Sequence, residues 1–217
     1  MSASTGASVL DRILVETRSE LERRKCEVPL AALHMGEMLD ANALPLRYAG
    51  ISTCFRREAG AHGRDTRGIF RLHQFEKVEM FSFVRPEDSW HEHERLVSLE
   101  ESILRALELP YRAVNVCSGE LGAPAAKKVD LEAWFPGQQR YREVTSCSNT
   151  TDYQARRLNC RVKTEHGTVF VHKLNGTAAT SSRHIAAIIE NHQRADGSVV
   201  IPKVLTPYTG FNIISGA

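Results

Sequence analysis

Two alternating runs of residues on either side of a glycine-rich segment constrain the fold most. The first, residues 44–60, reads LPLRYAGISTCFRREAG, and the second, residues 69–84, reads IFRLHQFEKVEMFSFV. Both runs are rich in strand formers, and the segment between them, GAHGRDTRG, carries three glycines. Because strand formers that flank a glycine-rich connection are typical of paired strands, this region is predicted to form a long antiparallel hairpin.

Outside the hairpin, residue periodicity predicts four helices and four strands. The helices are predicted at 8–24, at 28–40, from Pro86 to about Leu109, and from about Ser182 to Arg194. The strands are predicted at 111–117, 128–136, 140–146 and 168–174. In the last helix, Ile185, Ile188 and Ile189 share a face that is predicted to be buried. The irregular order of strands and helices favours an α+β domain, with a mainly antiparallel sheet flanked by helices, over a doubly wound fold.

Length and composition exclude several classes of protein. A chain of 217 residues is long enough for one sizeable domain with its own core. Lys and Arg total 28 against 26 Asp and Glu, which argues against a protein that holds nucleic acid by bulk charge alone. No apolar run reaches the roughly 20 residues of a membrane span, and no secretory signal is visible. Five scattered cysteines without a C-x-x-C pair argue against a disulfide framework or thiolate zinc site, and predict a cytoplasmic location.

The hairpin also carries residues that suit a nucleotide. Side chains of equal parity share one face of a strand, so Arg56 and Glu58 are predicted to point the same way. On the returning strand, Arg71, Phe75 and Glu79 share a face for the same reason. Guanidinium groups bind phosphate oxygens, an aromatic ring stacks on a purine, and a carboxylate accepts from an amine or holds an ammonium group. A salt-bridged surface hairpin with Phe75 in the core is the alternative.

Two further clusters are candidates for the same chemistry. In RYREVTSCSN, residues 140–149, Glu143 could hold Mg²⁺, which usually takes one or two carboxylates plus phosphate oxygens. The alternative there is an ion pair with Arg142. In LNGTAATSSRH, residues 174–184, a polar turn at 175–177 is predicted to lead to Arg183 near a helix start. The alternative is a helix cap by a serine at 181 or 182, with Arg183 solvated.

Three long strings resemble the catalytic core of seryl-tRNA synthetases, which are class II aminoacyl-tRNA synthetases. The string FRREAGAHGRDTRGIFRLHQFEKVE, residues 55–79, resembles motif 2 of that family. The string GQQRYREVTSCSNTTDYQARR is a second match, and residues 174–194, with their continuation, resemble motif 3. The resemblance runs from about Glu27 to Gly210, so residues 25–217 are expected to form the class II core and residues 1–24 a separate helical segment.

The resemblance implies a two-step reaction that needs ATP and Mg²⁺. Serine is first activated to seryl-adenylate with release of pyrophosphate, and the seryl group then passes to the 3′ end of tRNA(Ser). By position, Arg56, Arg71 and Arg183 are implied as catalytic residues that contact ATP phosphates. Glu58 and Phe75 are implied at the adenine.

The same resemblance assigns the metal and the amino acid. Glu143 and Ser146 are implied to hold Mg²⁺ and ATP. The residues implied to bind serine are Glu27, Glu79, which receives the ammonium group, and Asn175 and Thr177, which approach the side chain.

The chain departs from the family in three places. About 25 residues precede the match, which leaves no room for the family's N-terminal helical arm, and motif 1, at the family's dimer interface, is not recognised. Lysine stands at position 25, where the family's serine-binding T-x-E tripeptide has threonine. Ser181 and Ser182 precede Arg183, where the family usually has glycine, and their side chains are expected to crowd the ATP site.

These departures leave three functions open. The chain is interpreted first as a serine-activating catalytic core, with weak binding of the tRNA acceptor end in the absence of the arm. A paralogue that adenylates an amino acid for a carrier protein is the second hypothesis. The third is a catalytically weak ATP-binding regulatory relative. A homodimer is left open, and no membrane partner is expected.

Overall fold

The structure, a computed structural model, describes residues 29–57 and 68–216. The helix predicted at 8–24 and three residues singled out above, Lys25, Glu27 and Glu58, lie outside the described residues. The separate N-terminal segment therefore stays a prediction. No helix in the described part of the chain is both long enough and apolar enough to cross a membrane.

Antiparallel pairing dominates the fold. The described strands are β1 (Met38–Asp40), β2 (Leu46–Phe55), β3 (Gln74–Val84), β4 (Tyr111–Asn115), β5 (Lys127–Phe135), β6 (Arg140–Asn149), β7 (Arg161–Thr164), β8 (Gly167–Phe170), β9 (His172–Thr180), β10 (Val199–Val200) and β11 (Ile213–Ile214). The described α-helices are α1 (Ser89–Ala106), α2 (Tyr153–Leu158), α3 (Ser181–His192) and α4 (Thr206–Thr209). Six strands form the main sheet in the order β2-β3-β9-β6-β5-β4, with every neighbouring pair antiparallel. The predicted α+β class is confirmed.

The predicted hairpin is formed by β2 and β3, which pair from Leu46 opposite Phe83 to Phe55 opposite Gln74. The second strand begins at Gln74 and not at residue 69, so Arg71 lies in the connection before the strand. The Arg56 N–H donates to the His73 carbonyl at 2.8 Å, which continues the pairing one step beyond the strand end. The hairpin thereby fixes the backbone of Arg56 beside the start of β3.

Alternation along β3 gives the main sheet two different faces. Met80 packs with Leu96 of α1 in one apolar cluster, and we call this side the helix face. Phe81 and Phe83 project to the opposite side, the site face, where they pack with Val162 of the small sheet β1-β7-β8. Because neighbouring residues in a strand point to opposite faces, Phe75 and Glu79 share the site face with Phe81.

Two predicted elements are corrected by the structure. The helix predicted at 28–40 is a single 3-10 turn at Leu30–Ala32 followed by β1. Gly36, at a φ of 76°, has a left-handed backbone conformation that a continuing helix does not permit. The strand predicted at 168–174 is two strands, β8 and β9, which belong to different sheets, because the chain crosses from the small sheet to the main one at Val171.

The apolar face predicted for the last helix is also wrong. In α3, Ile185 and Ile189 are 48% and 37% exposed, whereas Ala187 is fully buried and Ala186 nearly so. These alanines pack in the cluster that contains Phe135, while Ile188 is partly buried against it. The surface beneath α3 already carries large aromatic side chains, so small residues form its contact face.

One partly buried ion pair connects the edge strand β2 to the centre of the fold. Arg47 donates from two nitrogens to the two carboxylate oxygens of Glu92 in α1, each at 2.8 Å. Ser82 of β3 donates to the same carboxylate at 2.8 Å. Burial alone would raise the pKa of Glu92, but the hydrogen bonds from Arg47 and Ser82, with the charges of Arg47 and Arg95, hold it below its ordinary value. A single carboxylate therefore joins two strands and a helix.

We expect Glu92→Gln to lower the free energy of unfolding at pH 7 by about 2 kcal/mol, because an amide cannot accept both bonds from Arg47, which is itself partly exposed. Since the folded-state pKa of Glu92 is lowered, its contribution is present above pH 4.5 and disappears as the pH falls through the folded-state pKa. Urea denaturation at pH 7 and in acid measures both effects. Glu94→Gln on the exposed side of α1 is the control, and equal stability of the two variants at pH 7 would contradict the expectation.

Candidate active site

A cleft of about 510 Å³, part of it open to solvent, lies beside the site face. All six described residues that are predicted to bind the nucleotide or its metal line this cleft; they are Arg56, Arg71, Phe75, Glu143, Ser146 and Arg183. They come from the β2–β3 hairpin, from β6 and from the start of α3. Pairing of β3 with β9, and of β9 with β6, brings these distant segments of the chain together.

The hairpin part of the cleft carries a cation over an aromatic ring. The guanidinium carbon of Arg56 lies 4.7 Å from the ring centroid of Phe75. A planar cation and a ring at this distance attract each other, and both offer flat surfaces against which a base or a phosphate can pack. The alternative in which Phe75 is a core residue is not what the structure shows, because this ring lines the cleft.

Arg183 also lines the cleft, and three contacts hold its guanidinium group in place. Its Nη1 donates to the Glu143 carbonyl at 2.8 Å, and the same nitrogen lies 3.5 Å from Glu143 Oε2. Its guanidinium carbon is 4.9 Å from the Phe70 ring centroid. The side chain is only 16% exposed, so the alternative of a solvated Arg183 is wrong.

The surroundings of Arg183 favour an incoming anion. Burial lowers the pKa of Arg183, and the positive charges of Arg56 and Arg71 lower it further, while Glu143 acts in the opposite direction. Three guanidinium groups thus converge on one cleft with more positive than negative charge. An anion bound between them would relieve this repulsion.

The two serines before Arg183 do not cap α3. The residue at the N-cap position is Thr180, and no side chain makes a capping hydrogen bond there. The Ser181 hydroxyl instead accepts from the Glu76 N–H at 3.0 Å, which ties α3 to β3. Ser182 is buried and lines the cleft, whereas Ser181 does not. Of the two serines expected to crowd the ATP site, only Ser182 therefore narrows the cleft.

Glu143 offers a single carboxylate to the cleft. Its side chain is 40% exposed, and Ser146 of the same strand lines the cleft beside it. Within residues 29–57 and 68–216, no three His, Cys, Asp or Glu side chains converge as a metal site. A Mg²⁺ ion fits Glu143 and Ser146 only if phosphate oxygens and water complete its shell, which is the usual arrangement for this ion.

A second recognition group, centred on Glu79, adjoins the cleft. Asn175 Nδ2 donates to Glu79 Oε1 at 3.0 Å, and the Thr177 hydroxyl donates to Oε2 at 3.2 Å. Lys77 Nζ lies 2.8 Å from the same Oε2. The turn predicted at 175–177 is wrong, because these residues lie inside β9, where Thr177 pairs with Glu79. The site is therefore built on paired strands and not on a loop.

Two contributors to the site were missed from the sequence. Lys77 has the same parity as Phe75 and Glu79, so strand alternation alone could have placed it on the site face. Phe70 carries the guanidinium groups of both Arg142 and Arg183 on its ring, at 4.1 and 4.9 Å from the centroid. That contact depends on long-range packing between the hairpin, β6 and α3, and no local pattern indicates it.

Comparison with known proteins places the chain in one family. The family described as tRNA synthetase class II core domain (G, H, P, S and T) matches residues 20–192. The serine–tRNA ligase of Pyrococcus abyssi is 58% identical over 190 residues, which are 87% of this chain and 42% of that protein. The serine–tRNA ligase of Streptomyces coelicolor is 59% identical over 184 residues, 85% of this chain and 43% of that protein.

Solved structures agree with these matches. The seryl-tRNA synthetase from Pyrococcus horikoshii, complexed with ATP, superposes with a TM-score of 0.84 at 55% identity, over 87% of this chain and 43% of that one. The cytoplasmic serine–tRNA ligase from Naegleria fowleri, in complex with AMP, gives a TM-score of 0.82 at 47% identity, over 87% and 45%. The chain spans less than half the length of these relatives.

We expect inorganic tripolyphosphate to stabilise the protein, because the anion offsets the repulsion among the three guanidinium groups. At tenfold excess over its dissociation constant it should add about 1.4 kcal/mol, or roughly 4 °C in Tm for a chain of this size. Arg71→Gln should remove at least half of the rise measured by thermal unfolding. Arg112→Gln, on the exposed side of β4, is the matched control. If the two variants lose the same amount, the anion binds somewhere other than this cleft.

Proposed function

The chain belongs to the class II tRNA synthetase core-domain family, and on that basis we propose that it is a serine–tRNA ligase core that uses ATP to activate serine and transfers it to tRNA(Ser). One observation carries this proposal. The arginine-lined cleft suits a nucleoside triphosphate, and the Glu79 group beside it suits an amino acid, with both on the same face of one sheet. A reaction between the two ligands needs this adjacency. The ligands of the P. horikoshii and N. fowleri relatives, ATP and AMP, support a nucleotide in the cleft.

The first step joins the two ligands at phosphorus. A carboxylate oxygen of serine attacks the α-phosphate of ATP, the bond to the bridging oxygen of the β-phosphate breaks, and pyrophosphate leaves with that electron pair. No proton has to be removed from the attacking carboxylate, so no general base is required. Such displacements depend on positioning and on positive charge, which the arginine cluster supplies.

Within the cleft, each arginine has a place in this step. Arg56, whose guanidinium lies over the Phe75 ring, is proposed to contact the α-phosphate of an ATP molecule whose adenine packs on that ring. Arg71 and Arg183 serve the terminal phosphate, and the backbone and carboxylate of Glu143 hold Arg183 in position. Because Arg183 is already fixed and partly dehydrated, little reorganisation is needed when the phosphate arrives.

The metal would be held by Glu143 and Ser146. When bound, Mg²⁺ neutralises phosphate charge and orients the departing pyrophosphate. Glu143 also pairs with Arg183, so the same carboxylate sets the balance of charge on that side of the cleft.

Glu79 is the proposed partner of the ammonium group of serine. Asn175 and Thr177 orient its carboxylate, and Lys77 neutralises it. A bound ammonium group would take over part of this neutralisation. The neighbouring hydroxyl and amide groups can hydrogen-bond the serine hydroxyl, and a buried polar group left without a partner discriminates against alanine.

The second step moves the seryl group to RNA. The terminal ribose hydroxyl of tRNA attacks the carbonyl carbon of seryl-adenylate, and AMP leaves. The acceptor end of tRNA(Ser) is the proposed partner in this step. A reducing, cytoplasmic location is part of the proposal and is supported by the free thiols of Cys54, Cys117, Cys147 and Cys160.

Serine-dependent exchange of labelled pyrophosphate into ATP tests the first step directly. We expect exchange with serine and at least a hundredfold less with alanine, because alanine leaves the polar groups of the pocket unpaired. No exchange with any common amino acid, in a sample that binds ATP by calorimetry, would refute the enzymatic proposal. Exchange without transfer to tRNA(Ser) would contradict only the second step.

We expect Glu79→Gln to raise the KM for serine by tenfold or more, because the amide cannot neutralise the ammonium group; a lost charge-assisted bond is worth about 1.5–3 kcal/mol. The KM for ATP should change less than twofold. Arg56→Ala should show the reverse pattern, with weaker ATP binding and little change for serine. If the two variants affected both substrates alike, the division of the cleft into a nucleotide part and an amino-acid part would be wrong.

A further inference from the structure

A carboxyl group lies buried directly behind the Glu79 pocket. Glu100, in the third turn of α1, has no exposed surface, and neither of its carboxyl oxygens makes a hydrogen bond within the described residues. The buried Thr145 hydroxyl of β6 is close enough to lower the pKa of Glu100, but it too has no hydrogen bond of good geometry among the described residues. The mechanism proposed above gives Glu100 no part.

The position of this carboxyl group is defined by Gly176. A Cβ atom built on Gly176 would lie 2.6 Å from Glu100 Oε1, closer than any real contact, and 3.4 Å from the Met80 side chain. Glu100 therefore fills the space that a side chain at position 176 would occupy on the helix face. Gly176 lies between Asn175 and Thr177, whose side chains project to the other face and hold Glu79. The carboxyl group therefore packs against Gly176, the residue of β9 that links Asn175 and Thr177.

Titratable groups on three strands influence Glu100 electrostatically. Glu79 and Lys77 lie on β3, on the opposite face of the sheet, Asp130 lies on β5, and the Cys147 thiol lies on β6. Burial raises the pKa of Glu100 to about 8, and the charges of Glu79 and Asp130 act in the same direction, against Thr145 and Lys77. The group is therefore a neutral carboxylic acid at pH 7, of the same shape as an amide.

An apolar side chain would fill this space at lower cost. Burying a polar group without a partner is unfavourable by about 1–3 kcal/mol in proteins. A buried titratable group at a binding site is also a candidate for a functional role. Its shape and its contact with Gly176 point to mechanical support of the strand beneath the pocket.

We propose that Glu100 is a positioning residue of the amino-acid pocket, which braces Gly176 from the helix face and thereby keeps Asn175 and Thr177 on Glu79. This inference rests on the proposed function, because it assigns the Glu79 group to the amino acid. The support depends on the length and shape of the side chain and not on its charge. A shorter side chain leaves a cavity into which β9 can relax, whereas glutamine keeps the brace.

Kinetics of pyrophosphate exchange test the brace. We expect Glu100→Ala to raise the KM for serine by tenfold or more while the KM for ATP changes less than twofold, and Glu100→Gln to stay within twofold of the wild type for both. Glu101→Ala is the matched control on the same helix, since Glu101 pairs with Arg105 away from Gly176. An unchanged serine KM in Glu100→Ala, or equal changes for serine and ATP, would overturn the proposal.

A double-mutant cycle measures the contact itself and does not need activity. Gly176→Ala alone should lower stability in urea denaturation, because its methyl group collides with Glu100. The double variant with Glu100→Ala should lose less free energy of unfolding than the sum of the losses in the two single variants. Simple additivity would refute the contact even if the single variants fold poorly. If the wild type shows no serine-dependent exchange, that result counts against the proposed function. The urea denaturation cycle would still test the contact between Glu100 and Gly176, because it does not require activity.

The pH dependence of stability separates charge from shape. Because the folded-state pKa of Glu100 is raised from 4.5 to about 8, its acid form favours the folded state, and this advantage is lost as the pH rises between those values. The unfolding constant of the wild type should therefore increase relative to Glu100→Gln across that window, by at most tenfold per pH unit. Parallel profiles would show that Glu100 is already ionised across this window, which would contradict its assignment as a buried neutral acid.

Discussion

The register between β3 and β9 is the constraint on which the site depends. These strands are about a hundred residues apart in sequence, and their pairing sets Thr177 opposite Glu79 and Asn175 opposite Phe81. Because side chains alternate between faces, a slip of one residue would turn Asn175 and Thr177 away from Glu79 and place Gly176 on the site face. The same slip would carry Leu174 out of its cluster with Met80 and Leu96. Burial on the helix face therefore enforces the geometry of the site face.

The hairpin, its residue parity and the helix that follows it could be predicted from sequence because they are local. Alternation over 44–84 is enough to place Phe75 and Glu79 on one face, because it does not depend on long-range contacts. The strands β2 and β3 pair as expected. The family resemblance implies roles for Arg183 and Glu143 that periodicity alone leaves open. Their meeting in one cleft depends on pairings of β9 with β3 and β6, which no local pattern contains.

The errors have the same origin. Asn175, Gly176 and Thr177 are typical turn formers, yet they form the middle of a central strand, because Glu79 satisfies the polar side chains and Glu100 occupies the space that glycine leaves. Ile185 and Ile189 suggest a buried face, whereas Ala186 and Ala187 make the buried contact with the aromatic cluster below α3. In both places, tertiary contacts outweigh the local preference of the residue.

The distribution of charge reconciles a nearly neutral chain with a polyphosphate site. The net charge is +2, but the cleft holds Arg56, Arg71 and Arg183 against the carboxylate of Glu143. Other arginines are compensated individually, as Arg47 is by Glu92 and Arg156 by Asp152. A local excess of positive charge therefore lies in a partly buried place, where screening is weak and an anion gains most. The folded protein carries this repulsion in the absence of ligand, because the bond from Arg183 to the Glu143 carbonyl and the contact of Arg56 with the Phe75 ring hold two of the three arginines in place.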